Sequence, residues 1–159
     1  MKAPLADWLG VLILGAIACL GICASETRPP PSAEAWQRRL ALSKDWVEEV
    51  PQYFSAHNEL AWALAICPID ELRDEPLALK HALRACELSE WKNSHTLDTL
   101  AAVYAGIGDF EQAVDCQQRA IALHSGRDAW HRGYFLIMRY RLDLYRHHQP
   151  WPVKYLPGG

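Results

Sequence analysis

The sequence predicts an all-α protein assembled from helical hairpins, and three observations carry that prediction. Between Ala33 and His147, apolar residues recur in successive stretches at the three- and four-residue spacing that lines one helical face. The stretches are separated by residues that stop helices: Pro51, Pro68, Gly106, Gly108 and the pair Ser125-Gly126. Where each stretch restarts, a capping residue stands ready, as at Ser55, Asp74, Asp109 and Asp128.

The chain begins differently. Trp8–Ala24 (WLGVLILGAIACLGICA) carries no charge, and only Lys2 and the amino terminus stand before it as cations. Its length falls between a signal-peptide core and a comfortable membrane span. Three readings compete: cleavage after Ala24, retention as an anchor, and lipidation at Cys19 behind Ala16-Ile17-Ala18. A buried helix of a soluble chain is disfavoured because the run has no polar face. Residues 1–24 are therefore expected to be a signal peptide or membrane anchor. The rest is expected on the exported side of the cell envelope, whether membrane-anchored, a lipoprotein, or periplasmic or secreted. Residues 25–32 (SETRPPPS) form a proline-rich linker, since consecutive prolines favour extended backbone and forbid helix.

The helical domain is expected over 33–149. Ala33–Val50 reads as a first helix with Trp36, Leu40, Val47 and Val50 on its packing side, stopped by Pro51. Its expected task is to cover the outer face of the hairpin that follows. Ser55 is expected to cap the next helix, which runs to about Ile66 with Leu60, Ala61 and Leu64 inward. A long turn leads from Pro68 to Asp74. Asp74 caps a helix that carries Pro76 in its first turn, where a missing N–H costs nothing; Leu77, Ala78, Ala82, Ala85 and Leu88 line it. Trp91-Lys92-Asn93 links to the second hairpin. There Leu97, Leu100, Ala101 and Tyr104 stripe one helix, and Phe110, Ala113, Val114, Ala120 and Ile121 stripe the other. Gly106-Ile107-Gly108 turns the chain between them, and Asp109 with Gln112 forms a capping box. A final helix is expected over 128–147, striped by Trp130, Tyr134, Ile137, Met138, Leu142 and Tyr145, with Arg132, Arg139, Arg141 and Arg146 as a basic face. Residues 150–159, rich in proline and glycine, are expected to be irregular.

Composition excludes some functions. Half the residues are apolar and 22% charged, as in an ordinary globular chain. A formal net charge of −3 argues against a nucleic-acid partner. Cys67, Cys86 and Cys116 read as small packing residues, with a Cys67–Cys86 bridge as the alternative in an oxidising compartment. No phosphate-cradling loop, nucleophile elbow or His-Glu-x-x-His is present. Adjacent His147 and His148 would point about 100° apart on a helix. Asp70, Glu71, Asp74 and Glu75 fit helix capping better than a calcium loop. The expectation is a protein that is not an enzyme, with no catalytic residues, no metal and no cofactor.

Leu97, Leu100, Ala101, Tyr104, Gly108, Asp109, Phe110, Ala113 and Ala120 resemble the signature of the tetratricopeptide repeat. Gln117 stands where that family usually has an aromatic, and Ser125 where a proline often follows. The phrases NELAWALAICPIDELRD, ELSEWKNSHTLDTLAAVYAGIGDF and RLDLYRHHQP are similar to those of a bacterial exported or membrane-anchored subgroup. The resemblance implies a short right-handed solenoid of two repeats, about 57–90 and 94–125, closed by the capping helix. It also implies a groove that grips a protein or peptide partner. By position, the groove would be lined by Asn58, Trp62 and Ala65 from the first repeat and by His95, Asp98, Ala102 and Ala105 from the second. Asn58 can pair with a peptide backbone, Asp98 can accept from an amide or ammonium, and Trp62 offers a flat anchor. The competing role for Asn58, Trp62 and Asp98 is to hold helices together, with Asp98 accepting from the Trp91 or Trp62 indole. The function expected is a membrane-tethered or exported interaction module; the alternative is a structural or regulatory subunit of a larger envelope assembly.

Overall fold

Ser32 opens the domain. In the computed structural model, its hydroxyl accepts the Ala35 N–H at 3.3 Å and caps α1 (Ala33–Glu49). The structure describes residues 32–124 and 129–151, with backbone alone at 129–131, and all of them fall in one compact unit. The uncharged run Trp8–Ala24, nearly all of the proline linker, the Ser125-Gly126 stop, the Asp128 cap, the Trp130 side chain and the tail beyond Trp151 lie outside the described residues. Among the described residues there are six α-helices, one 3-10 turn and no strand. None of these helices is long and apolar enough to cross a membrane.

After α1 come α2 (Phe54–Ile66), α3 (Glu75–Leu88), α4 (Ser94–Gly106), α5 (Phe110–Leu123) and α6 (Ala129–Arg146). The largest interfaces join α4 to α5 and α2 to α3, so consecutive helices pair as two hairpins. Then α3 packs on α4, α5 on α6, and α1 and α4 on α2. Alanine makes the close approach possible: Ala61, Ala82, Ala85, Ala101, Ala113 and Ala120 are all fully buried.

Local chemistry explains most boundaries. Asp74 accepts from Leu77 N–H at 2.9 Å, and Asp109 from Gln112 N–H at 3.2 Å. Asn93 receives both His95 and Thr96 N–H groups. Gly108 takes φ 87°, a conformation open to glycine at no steric cost. The long turn between α2 and α3 holds the 3-10 turn Asp70–Leu72, and Ile69 and Leu72 pack against the core.

Several expectations need correction. Ser55 does not cap α2, because the helix already starts at Phe54 behind Tyr53. The capping box at Asp109 is one-sided: the Asp109 N–H goes back to the Tyr104 carbonyl at 2.9 Å, closing the turn instead. Val50 is exposed and Ser43 takes the inward place on α1, donating to the Arg39 carbonyl at 3.0 Å. Arg141 leaves the basic face of α6 altogether and is 4% exposed. Cys67, Cys86 and Cys116 are buried free thiols, with no Cys67–Cys86 bridge.

Candidate functional site

Helix α4 is buried almost throughout, from Thr96 to Val103, because helices pack on it from both sides. Asp98 lies in this run and is 1% exposed. A carboxylate removed from water must be compensated, and here three groups do it. Gln117 Nε2 on α5 donates to Oδ1 at 2.7 Å, the Tyr134 hydroxyl on α6 donates to Oδ2 at 2.7 Å, and the Arg141 guanidinium on α6 pairs with Oδ2. Gln117 Nε2 also donates to the Met138 carbonyl at 3.1 Å, so one amide ties α4, α5 and α6 together. Asp98 therefore accepts from none of the indoles expected to reach it.

The charges follow from this packing. Burial alone would disfavour the Arg141 cation, but Asp98 beside it, together with Tyr145 and Tyr134, offsets that and its pKa is raised. Burial first, and then the Asp98 carboxylate, push Tyr134 well above the ordinary phenol range, so it remains a donor at neutral pH. Arg141 also lies over two indoles, its guanidinium carbon 4.8 Å from the Trp62 ring centroid and 4.5 Å from that of Trp151. Its Nε, the Asn58 Oδ1 and the Trp151 Nε1 are buried atoms that find no hydrogen-bond partner among the described residues.

Around this cluster opens a cleft of about 200 Å³ bordered by Asn58, Glu59, Trp62, His95, Tyr134 and Arg141, with Asp98 in its floor. Four of the seven groove positions, Asn58, Trp62, His95 and Asp98, thus meet at one place, drawn from α2 and α4. Asn58 and Trp62 are half-buried and His95 is exposed, its ring 4.7 Å from that of Tyr134. Asp98 is satisfied by its own chain. Ala102 borders a separate recess of about 260 Å³ with Ala65, Ala78, Ile66 and Trp151.

Gln117, Tyr134, Arg141 and Trp151 complete the site, and none was singled out for it. The signal for two of them was present. Gln117 sits between Ala113 and Ala120 at the spacing of the buried α5 stripe. Arg141 sits in the same way between Met138 and Tyr145.

A second polar contact lies at the far edge of the first hairpin. His57 Nε2 donates to the Pro51 carbonyl at 3.0 Å, which leaves its Nδ1 as the acceptor of the His81 Nδ1–H at 2.8 Å. Burial, then His57 and Lys80, lower the His81 pKa. Cys86 and Cys116 stay protonated at neutral pH: burial pushes Cys86 up to about 11 and Cys116 up to about 12. Among the described residues no three His, Cys, Asp or Glu side chains converge to hold a metal. Comparison with family models, curated proteins and solved structures gives no match, so the repeat resemblance rests on the residues quoted above.

Proposed function

We propose that the chain is a protein-interaction module in which two tetratricopeptide-like hairpins form a short right-handed solenoid and present the cleft to a protein or peptide partner. One observation carries the reading: Asn58 and Trp62 of the first hairpin and His95 of the second border a single cleft although they come from different repeats. Asn58 and Trp62 supply an amide and a flat apolar ring, while the Asp98–Arg141 pair serves as a rigid floor. The uncharged run Trp8–Ala24 supports action at the cell envelope, tethered to the membrane or exported.

The test is a photo-crosslinking side chain at His95 in the full chain, with Lys44 on α1 as the control position. A discrete adduct at His95 and none at Lys44 is expected, in material that fractionates with membranes or is exported. Equal adducts at both positions, or uncleaved full-length protein in the cytosol, would reject the reading.

A second reading, a subunit held permanently in a larger assembly, is favoured by a different surface. Leu42, Trp46, Val50 and Tyr53 are 62, 37, 40 and 49% exposed on one edge of the domain, and the Trp46 and Tyr53 rings lie 5.9 Å apart. Such a cluster suits a lasting interface. A folded, soluble monomer starting at Ser32 would count against it.

A further inference from the structure

The last described residues do not leave the domain. Helix α6 ends at Arg146, His148 takes φ 55°, and the Gln149 N–H reaches back to the Leu144 carbonyl at 2.9 Å. That reversal carries Pro150 and Trp151 back over the domain. The Trp151 indole packs against the core, 4.5 Å from the Arg141 guanidinium and edge-on to Tyr140 at 5.9 Å. It borders the recess whose other walls include Ala65 of α2 and Ala102 of α4, two positions on the groove side of their helices. Their small side chains make room there for an inserted ring.

The fit is incomplete in two respects. A recess of about 260 Å³ remains beside the indole, and Trp151 Nε1 is buried without a hydrogen-bond partner among the described residues. The open recess leaves room beside the ring and an unpartnered N–H forfeits its hydration, so this contact is weak against any segment that fills the space and accepts from the indole. Within the segment, Pro150 supplies no N–H to anchor it.

From this we infer that Pro150-Trp151 is a displaceable self-ligand, and that the partner is an extended segment presenting a tryptophan next to proline. The inference rests on the interaction reading above and names the chemistry of its partner. The partner's indole takes the place of Trp151 over Arg141, and its backbone runs along the alanine-lined side of α2 and α4. Because the chain's own tail competes, only the fraction of molecules with the tail released is open to the partner.

The test uses the full chain and a synthetic peptide of residues 148–155 (HQPWPVKY) as probe, with binding read by calorimetry. The Trp151→Ala chain should bind the peptide, and the wild-type chain should bind it roughly tenfold more weakly or worse, since the self-contact masks the site. A Trp151→Phe chain, which keeps a ring in place, should fall between them. The same peptide with alanine for tryptophan should bind neither chain. Far-UV circular dichroism establishes that each chain is folded. Equal affinity for the wild-type and Trp151→Ala chains, or no binding to a folded Trp151→Ala chain, overturns the self-ligand. Either result is separable from failure of the interaction reading, which the His95 adduct decides independently.

Discussion

The two hairpins are built to one pattern yet treat the same positions differently. His57, Leu60, Ala61 and Leu64 on α2 stand as Leu97, Leu100, Ala101 and Tyr104 do on α4, and by the same alignment Asn58 corresponds to Asp98. On the second helices of the hairpins, α3 and α5, Ala78, Ala82 and Ala85 correspond to Ala113, Gln117 and Ala120. In the second hairpin the polar pair meets at 2.7 Å and is buried beneath α6. In the first, Ala82 cannot reach Asn58, whose Oδ1 has no partner among the described residues. What differs is the next helix: α6 brings Arg141 and Tyr134 to Asp98, while among the described residues no cation pairs with Asn58. Burial of a polar side chain is thus decided by the neighbour an element acquires, more than by the element's own pattern.

That comparison breaks most visibly at Asp98. Asp98→Ala leaves Arg141 charged and buried with its partner gone, and should cost about 3–5 kcal/mol in urea or thermal unfolding. Combining it with Arg141→Met removes the stranded charge and should recover most of the loss, because replacing a buried pair with apolar groups is often close to neutral. A loss below about 1 kcal/mol in the single variant, the scale of an exposed pair, would show the cluster to be open to water. With the larger loss, any effect of Asp98→Ala on partner binding would follow from unfolding rather than from a lost contact.

The helices' close approach gives the next effect. Ala120 is fully buried at the contact of the second hairpin, so Ala120→Leu should overpack it and cost about 1–3 kcal/mol. An unchanged melting temperature would place Ala120 at the surface. Gly108 ranks lower. A Cβ there meets nothing within 4 Å, so the penalty of Gly108→Ala is the positive φ of 87° alone, about 1 kcal/mol. Asn at the same position should lose less. The first hairpin has no equivalent glycine, since its longer turn reverses the chain through the 3-10 turn Asp70–Leu72.

Stability also depends on pH, through His81 and Cys86 of the first hairpin and Cys116 of the second. His81 has its pKa lowered in the folded state, so the unfolded chain binds more protons as pH falls through the ordinary histidine value of 6.5. Stability should therefore decline below about pH 6.5 and level off once the folded His81 titrates as well. Cys86 and Cys116 act in the opposite sense. Their pKa values rise from 9.0 to about 11 and about 12, so the folded chain keeps protons that the unfolded chain loses, and stability should fall above pH 9. His81→Gln should flatten the acid limb and leave the alkaline limb unchanged; an acid limb unaffected by His81→Gln would assign it to other groups.

Much of this was legible in the sequence because it depends on local spacing. The helices, the hairpin turns and the alanine contacts follow from periodicity, glycine and caps, which act over a few residues. Ser55 misled because a hydroxyl near a helix start is a cap only if the helix does not begin earlier, and Phe54 is already helical. Arg141 misled for another reason. Its place in the stripe between Met138 and Tyr145 is a matter of spacing, whereas the carboxylate that makes its burial tolerable comes from a helix far away in sequence. The meeting of Asn58, Trp62 and His95 was expected from position; the satisfaction of Asp98 by its own chain depends on tertiary pairing, which no local pattern records.

The smallest expected effect is the most useful for function. Asn58 is half-buried, its carbonyl oxygen has no partner among the described residues, and it borders the cleft. Asn58→Ala removes that acceptor together with its desolvation, so the stability change should lie within about 0.5 kcal/mol of zero and could be slightly favourable. Asp98→Ala, by contrast, cannot separate binding from folding, because it damages the cluster that shapes the cleft. If a partner backbone pairs with the Asn58 amide, the alanine variant should lose about 0.5–1.5 kcal/mol of affinity, the usual net scale of one neutral hydrogen bond. Urea unfolding and partner titration on the same preparation read the two quantities side by side. A stability loss above 1 kcal/mol would mean that Asn58 holds helices together after all, and would erase the difference between the two hairpins at that position.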